Sequence, residues 1–128
     1  MKKERGFTLI ELLVVILIIA IIALISAPIV FNQIEKARVE TFRDSIKGMM
    51  NAITYYQTEN EILDGGTYQV GNDKLIHEGT ELEVSGSVLG TGTIVIDENN
   101  QSTIKIQYDR YCATGDVDHI EIEEKECN

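Results

Sequence analysis

The sequence predicts an α+β protein: a long amino-terminal helix, apolar in its first half and amphipathic in its second, packed on a small antiparallel sheet. Two observations carry that expectation. The first is a contrast of composition within 128 residues. Phe7 to Phe31 holds 21 apolar residues in 25, whereas Glu61 to Asn128 holds 15 acidic side chains against 4 basic ones. The second is a change of period. Apolar residues are continuous from Leu12 to Ile25, thin to one helical face after Phe31, and give way beyond Asn60 to short runs punctuated by glycine. The mean hydropathy of −0.02 therefore averages two chemically different objects. Four segments follow: a short leader at residues 1–6, an apolar helix at 7–31, its amphipathic continuation at 32–59, and an acidic β-rich head at 60–128.

The net charge of −10 repels phosphate backbones, so no direct nucleic-acid partner is expected. The basic residues at the start, Lys2, Lys3 and Arg5, precede the apolar run. That order suits membrane insertion with the cations kept on the cytoplasmic side. Twenty-five helical residues would span roughly 37 Å, enough to cross a hydrocarbon core of about 30 Å. A cleavable secretory signal would need a small-residue site after a shorter core. Ile25-Ser26-Ala27 supplies only a poor one, with a bulky first residue and Pro28 directly after it. A plain anchor is physically sound but leaves Glu11 unexplained. An acid in a membrane segment costs a few kcal/mol and is usually paired or functional. The bland alternative places Glu11 at the interface, six residues from Arg5.

The run Gly6-Phe7-Thr8-Leu9-Ile10-Glu11-Leu12-Leu13, behind a basic leader and ahead of an uninterrupted apolar helix, resembles the class III signal of type IV pilins and pseudopilins. Pro28 also falls where this family commonly has a helix proline. The close resemblance covers about residues 1–38 and extends to the rest only in architecture. It implies cleavage between Gly6 and Phe7 by a prepilin peptidase and methylation of the new Phe7 amino group, leaving a net charge of −12. It also implies a role for Glu11 in filament assembly. One helical turn from Phe7, its carboxylate can neutralise the cationic terminus of its own or a neighbouring chain.

Beyond Phe31, Ile34, Val39, Phe42, Ile46, Met49, Ile53 and Tyr56 recur at helical spacing, so the helix is expected to run to about Glu59. Met49-Met50 and Tyr55-Tyr56 read as core contacts. Pro28 removes one backbone hydrogen bond and crowds the carbonyl of Leu24. A static kink and a melting of the 20–28 stretch on filament packing both remain open.

In the head, Leu82-Glu83-Val84, Thr93–Ile96, Thr103–Tyr108 and His119–Glu123 read as strands, with Asp97-Glu98-Asn99-Asn100 as a hairpin turn. With 23 apolar residues in 68, such a sheet must pack on the apolar face of the Ile34–Tyr56 helix. Cys112 and Cys127 are the only cysteines, and an exported segment can hold them as a disulfide. The family commonly has such a carboxy-terminal loop. A tight hairpin through Gly115-Asp116 would carry Cys127 away from Cys112, so either that hairpin is wrong or the tail curls back. The acids Asp116, Asp118, Glu121, Glu123, Glu124 and Glu126 lack the spacing of a calcium loop and read as a solvated face, so no metal or cofactor is expected. His77 and His119 stand without a nucleophile pattern, and no enzymatic activity is expected. Asn100-Gln101-Ser102 fits a glycosylation acceptor, though a turn asparagine explains it more simply.

The resemblance implies a methylated, non-enzymatic structural subunit. It would be single-pass in the cytoplasmic membrane among lipid, then polymerised through its helix by membrane assembly machinery. The first expectation is a type IV pilus (fimbrium) at the cell surface, an extracellular filament serving adhesion or motility. The alternatives are a pseudopilin of a type II secretion or competence system, and a membrane-anchored ectodomain that never polymerises.

Overall fold

The computed structural model describes residues 6 and 8–128. One helix, α1 (Leu9–Glu59), precedes seven strands: β1 (Gly66–Gly71), β2 (Lys74–His77), β3 (Thr80–Leu82), β4 (Thr91–Ile96), β5 (Ser102–Tyr108), β6 (Tyr111–Gly115) and β7 (Ile120–Glu123). The chain divides into two compact units, Met1–Ala37 and Arg38–Asn128. The division falls inside α1, upstream of Phe42, the first side chain the helix buries fully.

In the first unit the large apolar side chains from Leu12 to Ile25 are 45–77% exposed. Nothing among the described residues covers them, and the helix is long and apolar enough to cross a membrane. α1 is helical through Pro28 without interruption. The melting considered above concerns an assembled state.

In the second unit the strands form one antiparallel sheet in the order β3-β2-β1-β4-β5-β6-β7. Phe42, Ile46, Met49 and Ile53, three or four residues apart, are fully buried against Tyr68, Leu75, Ile94, Ile104 and Ile106. Burying each such side chain contributes about 1.5–3 kcal/mol before conformational entropy is counted. The sheet's inner face thus borrows its cover from the helix, as the sparse apolar content of the head requires. The buried stripe is shorter than the periodicity suggests. Ile34 is 45% exposed, and of the tyrosine pair Tyr56 packs on the core while Tyr55 stays 70% exposed.

One local expectation needs correction, two strands were not foreseen, and one open alternative is decided. Strand β3 ends at Leu82, so Glu83 and Val84 belong to the connection to β4. The Ser45 hydroxyl holds that connection to the helix, donating to the carbonyl of Ser87 at 2.8 Å and accepting from the N–H of Leu89 at 3.0 Å. Strands β1 and β2 were not legible as strands, because their hairpin turns on Asn72-Asp73 rather than on glycine. Both residues have positive φ, 51° and 61°, the backbone of a two-residue hairpin turn. The β6–β7 hairpin exists, pairing Cys112 with Glu123, and the tail curls back to close the disulfide. Gly115 makes that turn possible, since at φ 107° a Cβ would run into the carbonyl oxygen of His119.

Candidate functional site: the amino-terminal assembly helix and its head

The residues singled out at the amino terminus lie at the start of α1. Gly6 is exposed and non-helical, with nothing within 4 Å of the position a Cβ would take. Phe7 lies outside the described residues. Thr8 is the residue before the first helical turn, and its hydroxyl accepts the N–H of Glu11 at 3.2 Å. Its carbonyl accepts the N–H of Leu12 at 3.2 Å. Threonine is favoured here because it satisfies a helix N–H that has no partner within the helix. Thr8 and Glu11 therefore stand in the spacing of a capping box. The cap was readable in Thr8-Leu9-Ile10-Glu11 as a hydroxyl residue three positions before an acid. Glu11 is exposed, in a stretch whose other side chains up to Ile25 are almost all apolar.

At the other end of the chain the structure joins Cys112 to Cys127, with Cα atoms 5.3 Å apart. Gln107, which carried no signal in the sequence, brackets the returning tail. Its Oε1 accepts the N–H of Cys127 at 2.6 Å, and its Nε2 donates to the carbonyl of Asp109 at 2.9 Å. The acids of this region are spent on local structure. Glu124 lies 3.6 Å from Arg110, and Glu123 2.8 Å from Lys125, whose ammonium that carboxylate holds above its ordinary pKa. The carboxyl of Asp116 is held below the usual carboxylate range, chiefly by the backbone N–H of His119. Asp109 lies 3.6 Å from Arg38 on α1.

Neither histidine sits beside a nucleophile. His119 meets Asp116 at 3.4 Å on the surface. His77 is buried, stacked on Tyr68 with ring centroids 4.4 Å apart, and donates from Nδ1 to the carbonyl of Thr67 at 3.0 Å. The Tyr68 hydroxyl is buried without a hydrogen-bond partner among the described residues, and burial pushes its pKa up.

An apolar single helix with an acid four residues past a Gly-Phe step, continuing into a β-rich disulfide-closed head, fits the prepilin-type resemblance of the sequence. Comparison with known proteins agrees. The family model of the prokaryotic N-terminal methylation motif matches residues 1–27. The chain is similar to the type II secretion system core protein G of Pseudomonas aeruginosa, 34% identical over 59 residues, which is 46% of this chain and 42% of that protein. It is similar to the core protein G of Escherichia coli, 38% identical over 58 residues, 45% of this chain and 40% of that one. For that of Aeromonas hydrophila the identity is 32% over 79 residues, 62% of this chain and 54% of the relative. The matches thus span about half the length of these relatives or less. No solved structure matches the chain significantly. The motif and the relatives together support a type IV pilin or pseudopilin family for this chain. The relatives are secretion proteins, so they favour the pseudopilin alternative over the surface pilus.

Proposed function

We propose that this chain is a pseudopilin-type structural subunit of a type II secretion-like apparatus. It enters the cytoplasmic membrane by α1, is cleaved between Gly6 and Phe7 by a prepilin peptidase, is methylated on Phe7, and polymerises into a short helical filament. The observation that carries this reading is an apolar helical surface without cover among the described residues, within and beyond a matched methylation motif. Lipid covers that surface before assembly, and other copies of the helix cover it afterwards. In the helix bundle Glu11 neutralises the methylated terminus of a neighbouring subunit and sets the axial register, because an unpaired charge in that low-dielectric core is strongly disfavoured. The head carries no catalytic function in this reading.

Intact-mass spectrometry of the native protein tests the processing. Loss of residues 1–6 with one added methyl supports it, and an unprocessed Met1 chain overturns it. Electron microscopy of the envelope then distinguishes a short periplasmic filament from a long surface pilus, the outcome that would restore the pilus reading.

A further inference from the structure

On either side of the buried stripe of α1 lie charged side chains of opposite sign that have no ion-pair partner among the described residues. The buried stripe of Phe42, Ile46, Met49 and Ile53 marks the side of α1 that faces the sheet. Counting about 100° per residue, Lys47 lies about 130° to one side of that stripe and Glu59 about 110° to the other. Between the last turns of α1 and β3 runs an open groove of about 200 Å³, lined by Tyr55, Tyr56, Glu59, Glu81 and Glu83 among others. Tyr55 presents its ring there, 70% exposed. Glu81 is 3.9 Å from Lys74, whereas Glu59 and Glu83 have no cationic partner among the described residues. An exposed aromatic ring beside two unpaired carboxylates is the chemistry that takes an ammonium or guanidinium group.

On the opposite flank Lys47 is exposed and has no carboxylate partner among the described residues. Its neighbour on that flank, Arg43, is already engaged, donating to the carbonyl of Ile120 at 2.9 Å and lying 3.8 Å from Glu40. Every other lysine or arginine of the second unit is ion-paired or otherwise engaged, except Lys105, which lies on the sheet. Lys105 aligns in register with Thr93 and Thr114, away from the helix.

We propose that the Tyr55–Glu59–Glu83 groove is an intersubunit site that receives Lys47 of a second copy of this chain. The two halves of the contact lie on different flanks of the same helix, so the contact is heterologous. A heterologous contact that does not close into a ring repeats as an open helix, which is the symmetry of a filament. It also gives the two acids of the groove and the lysine on the helix a partner at once. The inference rests on the polymerising reading, because helices packed side by side bring these flanks together.

The test uses full-length chains co-expressed as two variants, Lys47→Cys and Glu83→Cys, each adding one cysteine to the retained native disulfide. The expected result is a disulfide-linked dimer in filaments that contain both variants and none when either is alone. Lys47→Glu should lower filament yield severalfold, as should Glu59→Lys with Glu83→Lys, and combining the reversals should restore it. Lys105→Glu should leave the yield unchanged. Wild-type filaments that form while the cysteine pair never links overturn the inference, as does equal yield in the Lys47→Glu variant. A link from Lys47→Cys to a different protein overturns it too. If the wild-type chain forms no filament at all, the polymerising reading itself has failed, a result distinct from these.

Discussion

Glu11 and Tyr68 show how differently one side chain can matter according to where it sits. Among the described residues Glu11 contributes only the N–H it donates to Thr8, yet in the proposed bundle of apolar helices it would be the group a cationic terminus requires. Glu11→Val should therefore leave insertion and Gly6–Phe7 cleavage intact, read as the processed mass in the membrane fraction, while sheared filament yield collapses. Tyr68 is the reverse case, a group that acts wholly within its own head. Its ring is fully buried and stacked on His77, and its hydroxyl makes no well-formed hydrogen bond among the described residues, the Gln57 side chain only partly offsetting its burial. Leaving such a group unsatisfied costs about 1–3 kcal/mol, so Tyr68→Phe should raise the urea midpoint of the full chain. Because burial raises the folded-state pKa above the unfolded value near 10, the neutral phenol favours the folded state. That contribution is complete below about pH 10 and is lost as pH rises through the folded pKa. The wild-type midpoint should fall in that alkaline window more steeply than that of Tyr68→Phe, followed by circular dichroism.

At the scale of elements, the helix was the most legible part and the edge hairpin the least. An unbroken apolar run followed by a 3.6-residue period leaves little choice but a helix, and α1 ends at Glu59 as the periodicity indicates. Strands β4, β5 and β7 announce themselves by alternation. Strands β1 and β2 hide because their turn draws on the left-handed tolerance of Asn72 and Asp73. The carboxy-terminal tail was ambiguous for a similar reason. Whether it returned toward Cys112 depended on Gln107, a residue 20 positions from Cys127 whose amide closes the loop. With the cysteines 15 residues apart, the disulfide contributes about 3 kcal/mol in the chain-entropy model. Paired Cys112→Ser and Cys127→Ser substitutions should lower the thermal midpoint and make the tail amides beyond Glu123 exchange early, while β4 and β5 remain protected.

At the scale of the molecule, the chain cleaved as proposed would carry a net −12, with almost all of its acids in or beside the head. Copies stacked in a filament repel one another there, and salt screens that repulsion over about 8–10 Å. Filament stability should therefore rise from low to physiological ionic strength and then level off, measured by sedimentation of sheared filaments. A steady fall with added salt would mean that surface ion pairs, not helix packing, dominate cohesion. The residue string alone settled the division into a greasy helix and an acidic head, the signal at Gly6–Glu11, and the helix as the sheet's cover. Each of these follows from local composition and period, which need no knowledge of distant neighbours. Only the folded chain decided that Ser45 clamps the β3–β4 connection, that the tail doubles back, and that Lys47 and the Tyr55 groove occupy separate flanks. Those depend on which residues far apart in the chain become adjacent, and burial energy spread over a whole core makes that choice, not any single position.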